Sequence, residues 1–272
     1  MVENVTAINW AELRQNMLSS TNRLACCNAS YWDRCASSFN ENMAHMDTLT
    51  QDQLDRMHLL PQYTVLDVGS GSGRVTLPVA KRVKQVTAVE PSGKMLALLK
   101  TNAAAANVTN ITYLNSSWED LKLGADVVPH DVVMASFSLF MVDIEAELLK
   151  MHEAATKAVH LFLSASPVMD EELQHIVFGD TIPQSLEDYI YVYNILHDLG
   201  ILANVEIWNF EVKRHYRSLD EAVSKFTETH SIPNSKQSEL RAYLHRNLME
   251  YDGKLWLTRK RKTAMIWWTK TQ

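Results

Sequence analysis

The sequence predicts an α/β fold, a mostly parallel sheet of seven strands with helices on both faces, and three observations carry that prediction. Short β-branched runs alternate with helical stretches from Thr64 onward, the pattern of parallel strands joined by crossover helices. The strand runs are apolar throughout, which implies cover on both faces. The first of them enters a glycine-rich turn that opens a helix, and open α/β sheets bind ligands at such carboxyl ends of strands.

Taken in order, the first 60 residues read as an N-terminal helical cap. Trp10, Leu13, Met17 and Leu18 recur at helical spacing, Tyr31 to Phe39 follow, and Thr50 opens a segment with Leu54, Met57 and Leu60. Residues 61–272 read as the core. Its candidate strands are Thr64 to Val68, Gln85 to Glu90, Ile111 to Asn115, Asp131 to Ser136 and Val159 to Ala165, with helices near Val75 to Val83, Met95 to Asn107 and Ile144 to Thr156. After Pro167 come a helix, Ser185 to Leu199, closed by Gly200, and a long strand candidate, Asn204 to Tyr216. Two helices, Leu219 to Thr229 and Lys236 to Tyr251, make an insertion at about 217–253 before the last strand, Thr263 to Thr269. Such an insertion would reach over the carboxyl edge of the sheet.

Composition narrows the class. Hydrophobic residues at 46% and charged residues at 21% suit a globular chain. No apolar run is long enough to span a bilayer, and the N-terminus lacks a signal-peptide layout, so a cytoplasmic protein with no membrane partner is expected. Cys26, Cys27 and Cys35 are an odd set at one end, a poor disulfide framework that agrees with a reducing compartment. Soft thiolates also invite an arsenic- or metal-methylating reading, but no fourth thiol and no flanking metal motif support it, and no metal is expected. A net charge of -6 gives no long-range pull on phosphate backbones, so no nucleic-acid partner is expected. The local exception is Arg259-Lys260-Arg261-Lys262, read as a charged turn between strands.

The most informative stretch is Val65-Leu66-Asp67-Val68-Gly69-Ser70-Gly71-Ser72-Gly73-Arg74-Val75. Glycine serves where the backbone takes positive φ or a ligand approaches the main chain, and the helix N-terminus beyond it suits an anionic group. Arg74 and Thr76 stand where a dinucleotide loop wants its third glycine, and the Gly-Lys-Ser/Thr of a triphosphate loop is absent. Glu90 ends the second strand, where a carboxylate can accept both hydrogen bonds of a ribose diol. An adenosine ligand is indicated.

Asp67-Val68-Gly69-Ser70-Gly71-Ser72-Gly73 together with Glu90-Pro91-Ser92 resembles the class I S-adenosylmethionine-dependent methyltransferases, small-molecule type, over about Tyr31 to Ser166. The resemblance implies a Rossmann-like core. It implies S-adenosyl-L-methionine as cofactor, S-adenosyl-L-homocysteine as product, and a small-molecule methyl acceptor. Tyr31-Trp32-Asp33-x-x-Ala36-x-x-Phe39 is similar to the family's helix that closes over the cofactor. Asn115 to Leu121 falls at its adenine loop, with Ser117 and Trp118 where many members carry an acidic residue and alanine. His130 to Phe140 resembles its fourth strand and active-site loop, without the Asn/Asp-Pro-Pro-Tyr/Phe signature of nucleic-acid N-methylation.

The implied cofactor-binding set is therefore Tyr31, Trp32, Asp67, Gly69, Ser70, Gly71, Gly73, Glu90, Pro91, Ser92, Ser117, Trp118 and Ser136. No catalytic base is assigned: His45, His130, His175 and His197 stand in no triad order or metal spacing. In-line methyl transfer asks chiefly for positioning and desolvation, and a base only where the nucleophile arrives protonated. Other S-adenosyl group transfers, or a non-catalytic binding module, remain open on the same fold. The Tyr189, Tyr191, Tyr193, Asn194 and His197 helix reads either as a substrate wall or as ordinary packing.

Overall fold

The central β-branched runs become strands because their side chains are buried on both faces. The computed structural model describes residues 8–20, 26–43, 46–179, 187–230 and 232–270. Strands β1 (Thr64–Val68), β2 (Gln85–Val89), β3 (Ile111–Leu114), β4 (His130–Ser136) and β5 (Ala155–Ser164) are parallel. β6 (Asn204–Tyr216), β7 (Leu248–Tyr251) and β8 (Lys254–Thr269) complete an eight-stranded sheet, in the order β3-β2-β1-β4-β5-β8-β6 with β7 on β8. β8 is antiparallel to β5, β6 and β7. The Rossmann-like α/β expectation is borne out, with β7 as an added hairpin strand.

Ten helices surround the sheet among the described residues: α1 (Trp10–Ser20), α2 (Ala29–Met43), α3 (Asp47–Arg56), α4 (Thr76–Ala80), α5 (Gly93–Ala105), α6 (Ile144–Ala154), α7 (Glu171–Phe178), α8 (Asp188–Asp198), α9 (Leu219–His230) and α10 (Gln237–Asn247). One face carries a core of Leu66, Val68, Val133, Leu148, Leu161 and Ile266 under α6 and α8. The other carries Val65, Val86, Leu99, Met134 and Phe162 under α4 and α5. α6 stops at Ala154 and β5 begins at Ala155, so the helix expected to run to Thr156 is shorter. Thr156 lies within β5, where a β-branched side chain fits better than in a helix. Of the helix expected from Ser185, residues 185 and 186 lie outside the described residues; His45 does too.

The basic run is not a turn. Arg259 to Lys262 lie inside the 16-residue β8, paired with β6 as Val212↔Arg259, Glu211↔Lys260, Phe210↔Arg261 and Asn209↔Lys262. β5 ends opposite Thr263, at Ser164, so the part of β8 before Thr263 projects past the carboxyl edge of the parallel strands. With β6 and β7 it makes a ribbon there. The ribbon's Tyr216 and Leu257 pack with Leu173, Phe226, Leu240 and Tyr243 from α7, α9 and α10 in a separate apolar cluster.

Candidate active site

β1 delivers Asp67 and Val68 to the carboxyl edge and then turns sharply. Gly69 (φ 78°) and Gly71 (φ 55°) hold backbone that favours glycine, and a Cβ at Gly69 would lie 2.3 Å from Ser138 Cβ. At Gly71 such a Cβ would meet, within 4 Å among the described residues, only Phe39 Cε1 at 3.7 Å, so this glycine leaves an open cradle. The amides of Gly69 and Ser70 both donate to Val89 O, at 2.9 and 3.0 Å, and that of Gly71 donates to Glu90 Oε2 at 2.9 Å. These three amides are spent inside the protein, so the loop meets a ligand chiefly by close approach. The anion-binding helix start expected here does not form as such. α4 spans only five residues, and the positive charge beside the loop comes from Arg74.

Arg74 is half-buried beside the loop. It donates to Thr50 Oγ1, Gln53 Oε1 and Ser136 Oγ, each at 2.8 Å, and Gln53 Nε2 also donates to Ser136 Oγ at 3.1 Å. α3 thus ties the glycine loop to the end of β4. Burial pushes the Arg74 guanidinium down to about 10, against the pull of Asp67, so it stays charged at neutral pH. Phe137, next along, sits at φ 55°, a strained conformation for a bulky residue and one that clusters at functional sites.

Trp32, Asp67, Gly69, Ser70, Gly71, Glu90, Pro91, Ser117, Trp118 and Ser136 all line one cavity of about 700 Å³, within the usual range for ligand sites. Three expected residues do not. Gly73 packs instead: a Cβ there would meet Leu99 Cδ1 at 2.3 Å, so its absence lets α5 approach the loop. Ser92 caps α5, accepting from Met95 N at 3.1 Å, and donates to Asp33 Oδ1 at 2.6 Å. Tyr31 sits edge-on to Trp32, its phenol pushed up to about 12 by burial and by Cys26 and Cys35. Trp32 alone of that pair reaches the cavity, edge-on to Phe39 at 5.6 Å and tilted against Phe140 at 5.5 Å.

The residues present fit an adenosyl-sulfonium ligand. Ser70 Oγ is buried without a partner among the described residues, beside the open cradle at Gly71. Glu90 accepts from Gly71 N at 2.9 Å and Ser92 N at 2.8 Å, which leaves acceptor capacity on both oxygens. Burial raises its pKa, with the two amides opposing. Trp118 is buried with Lys150 Nζ 4.7 Å from its ring centre, giving a flat apolar wall, and Asn115 holds the loop by donating to Glu90 O at 2.9 Å.

Other expected residues play different parts. His130 Nε2 lies 2.8 Å from Thr87 Oγ1 and Nδ1 2.7 Å from Val128 O; it is buried at the amino end of β4, away from the loop. Of α8, only Asp188 lines the cavity, and Tyr191 packs in the core, so the tyrosine helix is packing. No group of three metal-ligating side chains occurs among the described residues, nor any helix long and apolar enough to cross a membrane. Sequence reasoning missed Arg74, Phe137, Arg214 and Arg261, which also line the cavity.

Asp67 gives a pH prediction. Burial pushes its carboxyl up to about 7, helped by Glu90 and opposed by the Thr76 hydroxyl at 2.6 Å and by Arg74. The unfolded chain ionises this group near 4, so its contribution to stability is full below about pH 4 and is lost as pH rises toward about 7. The loss is on the order of 3–4 kcal/mol. Denaturant titrations at pH 5 and 7.5 are expected to show a decline in the native chain that Asp67→Asn lacks; parallel declines would place the titration elsewhere.

The comparisons with known proteins agree with this geometry. A family model described as a methyltransferase domain matches residues 65–160. An uncharacterized protein of Haemophilus influenzae is 30% identical over 201 residues, 73% of each chain. An uncharacterized RNA methyltransferase of Streptococcus mutans is 32% identical over 43% of this chain and 26% of its own. A 23S rRNA (uracil(1939)-C(5))-methyltransferase of Photobacterium angustum is 32% identical over 26% of this chain and 33% of its own. A crystal structure from Bacillus halodurans, described as a "putative methyltransferase", superposes with a TM-score of 0.56 at 12% identity, covering 82% of this chain and 99% of that one. The chain spans a third or less of the two RNA-methylating relatives. Their names nevertheless overturn the expectation of a small-molecule acceptor with no nucleic acid, because that expectation weighed net charge and a missing motif, neither of which senses a local cationic wall. The matched strands, the shared architecture and a relative alike over most of its length lead to one family: the chain belongs to the class I S-adenosylmethionine-dependent methyltransferases.

Proposed function

We propose that the chain transfers the methyl group of S-adenosylmethionine to a nucleotide of RNA, chiefly by positioning and desolvating the two reactants. The observation that carries this reading is a single cavity lined both by the glycine loop and Glu90 and by Arg214 and Arg261 of β6 and β8. Strand spacing of ~4.8 Å sets β8 and β6 three and four strands from β1, roughly 14–19 Å away, a span that suits a nucleotide beside an adenosyl cofactor. The RNA-directed relatives, alike over 43% and 26% of this chain, support the acceptor class.

In this reading Gly69, Ser70 and Gly71 face the methionine portion, and Arg74 offers its charge to the carboxylate. Asp67 orders the loop, and Glu90 with Pro91 holds the ribose. Ser117 and Trp118 border adenine, and Trp32 closes the site. The cofactor supplies an electrophilic methyl on sulfonium. The protein's share is to fix the acceptor in line with it, which is worth up to ~7–11 kcal/mol of barrier, while Ser136, Phe137 and Phe140 exclude water. The test is incubation with methyl-tritiated cofactor and total bacterial RNA. Nuclease-sensitive label in RNA is the expected result; no label in RNA, from protein shown calorimetrically to bind the cofactor, would remove the acceptor assignment.

A further inference from the structure

Strand alternation divides the basic residues of β8. Arg259 and Arg261 share the face that carries Arg214, Tyr216 and Leu257, while Lys260 and Lys262 lie exposed on the other face with Glu211. We propose that Arg214 and Arg261, backed by Arg259, form an oxyanion subsite that seats a phosphate group of the acceptor. This rests on the reading of the acceptor as a nucleotide.

Three features support it. Arg214 and Arg261 line the cavity beyond the carboxyl edge of the sheet. Nε of Arg261 and Nε and Nη2 of Arg259 are buried without hydrogen-bond partners, and no carboxylate stands within ion-pair distance of the three arginines, among the described residues. What holds Arg259 is weak: a 3.4 Å hydrogen bond to Val168 O and the Phe226 ring 5.0 Å from its guanidinium carbon. Buried donors without partners and like charges side by side are both costly, and a fold keeps such a group where a ligand completes it.

The electrostatics point the same way. Burial, then the neighbouring Arg259 and Arg214, push Arg261 down to about 10, with Glu187 opposing. Burial and Arg214 also lower Arg259, with Tyr243, Tyr216 and Asp170 opposing. Burial is the largest cause for both, so the two guanidiniums are charges held in a desolvated wall. A phosphate offers several acceptor oxygens at once, and guanidinium forks match that geometry bidentately. A carboxylate would engage one fork and leave the second unfilled.

The test uses the full chain with cofactor present. Inorganic phosphate, compared with chloride at equal ionic strength, is expected to raise the melting temperature of the native protein. Arg261→Gln and Arg214→Gln should lose that rise, and Lys260→Gln should keep it. Without phosphate, Arg261→Gln is expected to melt no lower than the native chain, because a buried charge lacking a partner has been removed, so a lost response will not reflect unfolding. Nucleoside 5′-monophosphates should bind Arg261→Gln at least about tenfold more weakly, with nucleoside and cofactor affinities unchanged. No phosphate-specific rise in the native protein, or an equal rise in Arg261→Gln, would overturn the subsite. So would succinate acting as well as phosphate. A phosphate response that depends on Arg261, in a protein that leaves RNA unlabelled, would uphold the subsite and remove the RNA reading.

Discussion

Gly69→Ala is expected to destabilise the protein by about 2–5 kcal/mol and to abolish measurable S-adenosylmethionine binding. Two costs add. The left-handed backbone at φ 78° charges an alanine roughly 1–2 kcal/mol. The new Cβ would also lie 2.3 Å from Ser138 Cβ and 3.7 Å from Ser138 Cα, and Ser138 cannot simply turn away because its hydroxyl donates to Val68 O at 2.5 Å. Overpacking of this kind typically costs another ~1–3 kcal/mol. Gly124→Ala is the control: φ is 86°, yet nothing stands within 4 Å of the added carbon. Denaturant unfolding of both variants separates the terms. Equal losses would mean that the loop and the segment after β4 are not in tight contact.

Glu90→Ala is expected to weaken cofactor binding by about 1.5–3 kcal/mol, the range for hydrogen bonds to a charged group, or about 10- to 150-fold by calorimetry. The carboxylate also holds the amides of Gly71 and Ser92, so part of any loss could come from a loosened loop. Adenosine against 2′,3′-dideoxyadenosine divides the two effects. If Glu90 grips the diol, the native protein prefers adenosine and Glu90→Ala does not. Equal binding of both nucleosides to the native protein would restrict Glu90 to holding the loop.

The cofactor half was legible because its parts are neighbours in the chain. A strand, a glycine turn and a helix start follow one another from Val65 to Val75, and Glu90 ends the adjacent strand, so local spacing sufficed to bring Asp67, Gly71 and Glu90 together. Gly73 shows the limit. Its spacing matches the other two glycines, but its role is fixed by Leu99, a residue of another element. The arginine wall of the cavity was not legible for the same reason: Arg214 and Arg261 meet only through the β6–β8 register, with two helices between them in sequence. A signal was present. The alternation Leu257, Arg259, Arg261, Thr263 runs unbroken into the apolar end of the strand, and a turn would have ended it.

The length of β8 has a consequence for how the wall can change. Its buried end, Thr263 to Thr269, is locked against β5, and parity along a strand is conserved, so the core decides which basic side chains look inward. Substitution at odd positions between Leu257 and Thr263 changes the face that lines the cavity, while even positions change only the outer surface. Losing Lys262 would turn Arg261 and Arg259 to the outer face and Lys260 to the inner one. The wall can therefore be edited residue by residue, but its frame cannot be shifted.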